Sequence, residues 1–207
     1  MFTTVLTNNN LLMRGAVVLI CFCLSTLSVC AQWELSLQKD SIQVFNKPNS
    51  EGYSYYKANG YVHANVEQVF NFLTQIEDFP NWVNNCSETK VLERKGEEVI
   101  YFALYEMPWP VINRYSITRL TIDEKTDNKI RLQSNPSQNT EYKYDDGLQI
   151  TRFNEKVNLT LLDNGLTYIE MYGAYDPGGA IPLWLSDKFM KYGPMDVILA
   201  IKAHLEK

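Results

Sequence analysis

Residues 176–207, DPGGAIPLWLSDKFMKYGPMDVILAIKAHLEK, decide how the rest of the chain is read. Asp176-Pro177-Gly178-Gly179-Ala180-Ile181-Pro182 breaks regular structure, since both prolines fix φ and the two glycines favour a turn. Beyond it Leu185, Phe189, Tyr192, Met195, Ile198, Ile201 and Leu205 recur every three or four residues. Lys188, Lys191, Lys202 and Glu206 fall elsewhere around the same cylinder. The spacing predicts an amphipathic helix running to the end of the chain. Pro194 cannot donate to the Met190 carbonyl, so a kink or a division into two helices is expected there.

Working back toward the N-terminus, Cys86 to Tyr175 reads as a meander of antiparallel strands. Val91-Leu92-Glu93-Arg94 meets Val99–Leu104 across the turn Lys95-Gly96-Glu97. Arg114–Ile122 and Lys129–Leu132 flank the polar turn Asp123–Asn128. In Thr151–Leu161, Phe153, Val157, Leu159 and Leu161 share one face, with Arg152, Asn154, Lys156, Asn158 and Thr160 on the other. Asp163-Asn164-Gly165 turns the chain into Thr167–Tyr175, where Ile169, Met171, Gly173 and Tyr175 share a face taken as inward because the other carries Glu170. One buried face per strand is the antiparallel pattern, and no alternation of strand and helix suggests a parallel sheet. Before the meander, Asn65 and Gln68 form a capping box ahead of Val66, Val69, Phe70, Leu73 and Ile76 at helical spacing. That helix is expected to end by Phe79, ahead of Pro80. Ile42–Phe45 and the Tyr-rich stretch Tyr53–Val62 read as a further pair of strands.

The extreme N-terminus is different. Residues 16–29, AVVLICFCLSTLSV, are apolar, preceded by Arg14 and followed by Cys30-Ala31. The run is shorter than the roughly 20 residues that span a bilayer and fits a secretory signal, with Val29 and Ala31 before a mature start at Gln32. The expected organisation is therefore a signal peptide at 1–31 and one domain at 32–207, exported to the periplasm or the exterior. Three of the four cysteines lie in the signal, which leaves Cys86 alone and excludes an internal disulfide in the mature chain. A lone Cys without a nearby His reads as a small buried hydrophobe.

Composition narrows the function classes. With 45% hydrophobic residues the chain has material for a core, which excludes disorder. Net charge is −5 with no basic cluster, a poor match for nucleic acid, and none is expected as a partner. His63 and His204 are the only histidines and lie far apart, so neither a metal site nor a catalytic constellation is expected, nor any cofactor. No nucleophile elbow, phosphate-cradling glycine loop or zinc-protease motif occurs. What remains is apolar: Met107-Pro108-Trp109-Pro110-Val111 and Asp176–Trp184 are hydrophobic loops where polar ones are usual.

Trp33-Glu34-Leu35, Ile42-Gln43-Val44-Phe45, Phe79-Pro80-Asn81-Trp82, Pro108-Trp109-Pro110-Val111-Ile112-Asn113-Arg114 and Asp176–Leu185 together resemble the START-related lipid-binding domains, particularly their secreted or periplasmic bacterial members. The resemblance runs from about Trp33 to the C-terminus. It departs at Tyr115, where relatives often carry Asp after the Arg matching Arg114. It implies an α+β helix-grip fold of the START and Bet v 1 type: a curved antiparallel sheet around a long kinked C-terminal helix, with an apolar tunnel between them. The implied function is non-enzymatic binding or carriage of a lipid or other hydrophobic small molecule, with a cyclase- or hydrolase-type enzyme of the same fold as the alternative. Trp82, Met107, Trp109, Met171, Gly173, Tyr175, Trp184 and Met195 are expected to line or gate the tunnel, Gly173 by leaving room. Arg114 is expected to be buried against a carboxylate of protein or ligand, and Arg114 with Tyr175 is the one combination offered for the enzymatic alternative. Transient membrane contact and a monomeric state are also expected.

Overall fold

The computed structural model describes residues 33–47, 54–137, 142 and 144–206. The expected signal segment at 1–31 and the mature start at Gln32 lie outside the described residues. Ten strands and three helices follow in the order β1 (Glu34–Lys39), β2 (Ile42–Lys47), β3 (Ser54–Val62), α1 (Val66–Thr74), α2 (Phe79–Trp82), β4 (Cys86–Lys95), β5 (Glu98–Tyr105), β6 (Arg114–Lys125), β7 (Lys129–Pro136), β8 (Leu148–Gln149), β9 (Arg152–Leu161), β10 (Thr167–Asp176) and α3 (Leu183–Leu205), with a 3-10 turn at Ile76–Asp78.

The strands form one curved sheet in the order β1-β2-β3-β10-β9-β7-β6-β5-β4, antiparallel throughout, with the short β8 parallel beside β6. Two local meanders are therefore joined by one long-range pairing, β3 with β10, which aligns Gly173 with Tyr56 and Ala58 with Met171. Bulges in β1, β4 and β6 interrupt the regular register, and each adds local bend and twist. Alternation places the expected faces inward: Val157 and Leu159 in β9, and Ile169 and Met171 in β10, are buried. Val99–Leu104 reads as a continuous apolar run because β5 is covered on both sides, its outer Phe102 packing with Tyr115, Tyr142 and Tyr144.

Helix α1 starts as its sequence specifies: the Asn65 side chain accepts from the Gln68 N–H and the Gln68 side chain accepts from the Asn65 N–H. It ends earlier than Pro80 requires, at Thr74, and Pro80 instead sits in the first turn of α2, where its missing N–H costs nothing. Helix α3 is one uninterrupted helix with Pro194 inside it, not two. The Met190 carbonyl that Pro194 leaves without its usual donor accepts from Asn46 Nδ2 at 3.4 Å, a bond from β2. Met195, Ile198 and Ile201 of α3 join Ile42, Val44, Ala58 and Ile169 in the main core. The helix lies so close to β3 that a Cβ on Gly60 would come within 3.0 Å of Ile198 Cγ2.

Candidate functional site

Between the concave sheet and the first two-thirds of α3 lies a cavity of about 380 Å3. Alternation supplies most of its floor: Tyr56 from β3, Tyr101 and Tyr105 from β5, Leu120 from β6, Leu132 from β7, Phe153 and Val157 from β9, Met171 and Tyr175 from β10. Phe79 and Trp82 close one side, and Phe189, Met190, Tyr192 and Val197 of α3 form the roof. Asn84, Asn85, Lys188 and the half-exposed Tyr192 also line it, so the hollow opens to solvent along that side. The volume falls in the range of roughly 300–1,000 Å3 that small-molecule sites occupy.

The wall is largely apolar, with one polar focus. Glu155 points in from β9 and accepts hydrogen bonds from two phenols, Tyr56 on one carboxylate oxygen and Tyr175 on the other, the latter at 3.1 Å. These residues come from three adjacent strands, and register explains how they meet. Gly173 of β10 pairs with Tyr56 on one side and with Glu155 on the other. With no side chain at Gly173, the Tyr56 ring crosses β10 to reach the carboxylate; a Cβ there would lie 2.0 Å from Tyr56 Cε1. Tyr56, Tyr175 and Phe153 stack in sequence, with ring centroids 6.1 and 5.8 Å apart and planes 15° and 9° from parallel. Glu155 is half-buried and lines the cavity.

Burial pushes the Glu155 carboxyl above its ordinary range, partly offset by the two phenol donors. Burial and then the nearby carboxylate raise Tyr56 and Tyr175 well above the usual phenol value, so both hydroxyls stay protonated and donate. Tyr101 and Tyr105 are raised chiefly by burial, and Ser116 and Thr118 bond to each other at 3.0 Å on the same wall. Cys86 is buried and unbonded to another sulfur, its thiol pushed up to about 11, which makes it inert. Among the described residues no group of three or more His, Cys, Asp or Glu side chains could hold a metal.

Of the nine residues expected at the site, Trp82, Met107, Met171 and Tyr175 stand on the cavity wall. The other five are placed differently. Gly173 leaves room for the Tyr56 ring, not for a guest. Met195 faces the core beside Ile198. Trp109, in the loop after β5, and Trp184, in the first turn of α3, turn outward, 92% and 62% exposed, while the nearby Met107 and Ile181 line the cavity. Arg114 is buried, yet its partners are carbonyls and not a carboxylate: Nε donates to Pro177 O at 2.9 Å, Nη2 to Gly178 O at 3.0 Å and Nη1 to Ile112 O. It clamps the Met107–Asn113 and Asp176–Pro182 loops together. Tyr175 donates to Glu155, so Arg114 and Tyr175 do not form a joint polar site. The sequence reading missed Glu155 and Tyr56. The signal was present for Glu155, which falls between Phe153 and Val157 on the face already assigned to the interior.

The family described as polyketide cyclase/dehydrase and lipid transport matches residues 62–165, from the end of β3 to the turn before β10. The chain belongs to this family. An uncharacterized protein of Pseudomonas aeruginosa is 22% identical over 183 residues, covering 87% of this chain and 90% of that protein. Among solved structures, a STAR-related lipid transfer protein from Xanthomonas axonopodis superposes with a TM-score of 0.75 at 20% identity, covering 84% of this chain and 99% of that one. An aromatase/cyclase from Streptomyces sp. R1128 superposes with a TM-score of 0.54 at 10% identity, covering 74% and 94%. These superpositions show the helix-grip fold of the START and Bet v 1 type. In this member of the lipid transport and cyclase family, the space between sheet and helix is a largely apolar hollow with Glu155 on its inner wall.

Proposed function

We propose that the protein binds and carries a lipid or other hydrophobic small molecule in this cavity, without covalent chemistry, outside the cytoplasm after loss of residues 1–31. The observation that carries the reading is the hollow itself. Its apolar wall opens to solvent on one side, so a guest can enter, and it gains about 0.8 kcal/mol for each CH2 it takes out of water. The family's description and the lipid transfer protein among its structural neighbours support the same reading.

Membrane contact fits the loops that Arg114 ties together. Met107 and Ile181 line the cavity while Trp109 and Ile112 of the first loop and Trp184 in the first turn of α3 stand in solvent, an arrangement suited to touching a lipid surface beside the site. A monomer suffices for all of this. Native mass spectrometry of the protein purified from its own host tests the proposal: an apolar molecule should accompany the folded chain, and repeatedly empty protein would overturn it.

One observation favours a second reading, an enzyme acting on a hydrophobic substrate. Glu155 is an inward carboxyl with a raised pKa, flanked by two phenols, which is the acid/base equipment a cyclase or hydrolase needs. Turnover of a bound substrate that disappears in Glu155→Gln while binding persists would favour the enzyme over the carrier.

A further inference from the structure

Glu155 poses a charge question that the apolar cavity does not answer. Both oxygens are engaged by neutral phenols, one each, whereas a carboxylate can accept about four hydrogen bonds. No ion pair to it occurs among the described residues. The buried Arg114 is committed to three carbonyls, and Lys188, the cation on the cavity wall, is exposed at the open side. An acid turned onto a largely apolar wall with no cation beside it either keeps a proton or takes its counter-charge from a guest.

We propose that the Glu155, Tyr56 and Tyr175 cluster is a recognition site for a protonated amine, and that the cavity's preferred ligand is a single-chain apolar amine. The proposal rests on the reading of the cavity as a ligand site and specifies its ligand. The amine donates to the unused lone pairs of Glu155, the phenols hold the carboxylate in place, and the chain fills the apolar remainder. Asp196 on α3 adds negative charge at the wall, so the cavity's charged groups are two acids and one lysine.

The test compares dodecylamine, dodecanol and dodecanoate at neutral pH by calorimetry. The three share a chain and differ in the charge of one end. Dodecylamine should bind at least about tenfold more tightly than dodecanol, the scale of one charge-assisted hydrogen bond, and dodecanoate should bind most weakly. In Glu155→Gln the preference for amine over dodecanol should vanish. Proton counting on the unmutated protein gives a check that does not depend on folding of the variant. Where Glu155 is protonated, amine binding expels its proton into the buffer and dodecanol binding does not. The titratable groups on the same cavity wall are Tyr56 from β3, Tyr101 and Tyr105 from β5, Tyr175 from β10, and Lys188 and Asp196 from α3. The tyrosines, all raised, hold their protons throughout, so a proton released with the amine and not with dodecanol comes from a carboxyl of this wall.

Equal affinity for amine and alcohol, or an amine preference that survives in Glu155→Gln, would overturn the proposal and leave the apolar cavity standing. Failure of all three compounds to bind the folded protein would overturn both.

Discussion

Gly173 and Glu155 carry the residue-scale chemistry. Gly173 sits in register between Tyr56 and Glu155, and its bare backbone is the bridge over which the Tyr56 ring travels. Gly173→Ala should push that ring off the carboxylate and into the hollow. The expected result is a loss of about 1–3 kcal/mol in denaturant unfolding, the usual cost of forcing extra volume into a packed site, together with weaker uptake of a single-chain alcohol. Glu155 makes a pH prediction whose sign follows from burial. Its carboxyl is held above the ordinary range, so the folded protein keeps a proton that the unfolded chain would release. The associated stability is complete below the ordinary carboxylate value and is lost as pH rises through the raised one. Glu155→Gln removes that slope, so its melting temperature relative to the unmutated protein should rise as pH climbs from the ordinary carboxylate value through the raised one. A constant difference across that range would show that Glu155 titrates normally.

At the scale of elements, α3 depends on a bond from outside itself. Pro194 leaves the Met190 carbonyl without a helical donor, and Asn46 of β2 supplies one. Asn46→Ala should cost about 1 kcal/mol. In a Pro194→Ala background the cost should shrink, because the restored N–H at position 194 takes the same carbonyl; additive costs in the double-mutant cycle would refute the pairing. This bond was invisible in the sequence, which offers a kink or a break at Pro194 but not a partner 144 positions away. Elements with their own periodicity were legible: the Asn65 capping box, the alternating β9 and β10, and the 3.6-residue period of α3. Elements that exist only through neighbours were not. The two-residue β8 is held by β6, and β1 is held by β2. The candidate site divides the same way. Met171 and Tyr175 follow from alternation along one strand, whereas Trp109 and Trp184 lie outside any strand, and no local pattern tells that they turn outward. Gly173 was recognised as a space, but what fills it comes from another strand.

For the whole molecule, the arrangement amounts to a curved sheet and a helix that pack a core at one end of the helix and leave a hollow beside the rest of it. Apolar loops stand beside that hollow with two exposed tryptophans. Joint replacement, Trp109→Ala with Trp184→Ala, should leave stability nearly unchanged, as both side chains are solvent-facing, while reducing co-sedimentation with phospholipid vesicles severalfold. Undiminished vesicle binding would move the contact elsewhere on the surface. The central claim is that the hollow shelters an apolar guest, and titration of a fluorescent single-chain alcohol into the protein and into a cavity-filled Met171→Trp variant tests it most directly. Saturable binding of one molecule per chain, lost in the filled variant while that variant remains folded, is the predicted result. An unmutated, folded protein that takes up no alcohol, or a filled variant that binds it equally well, would contradict the account.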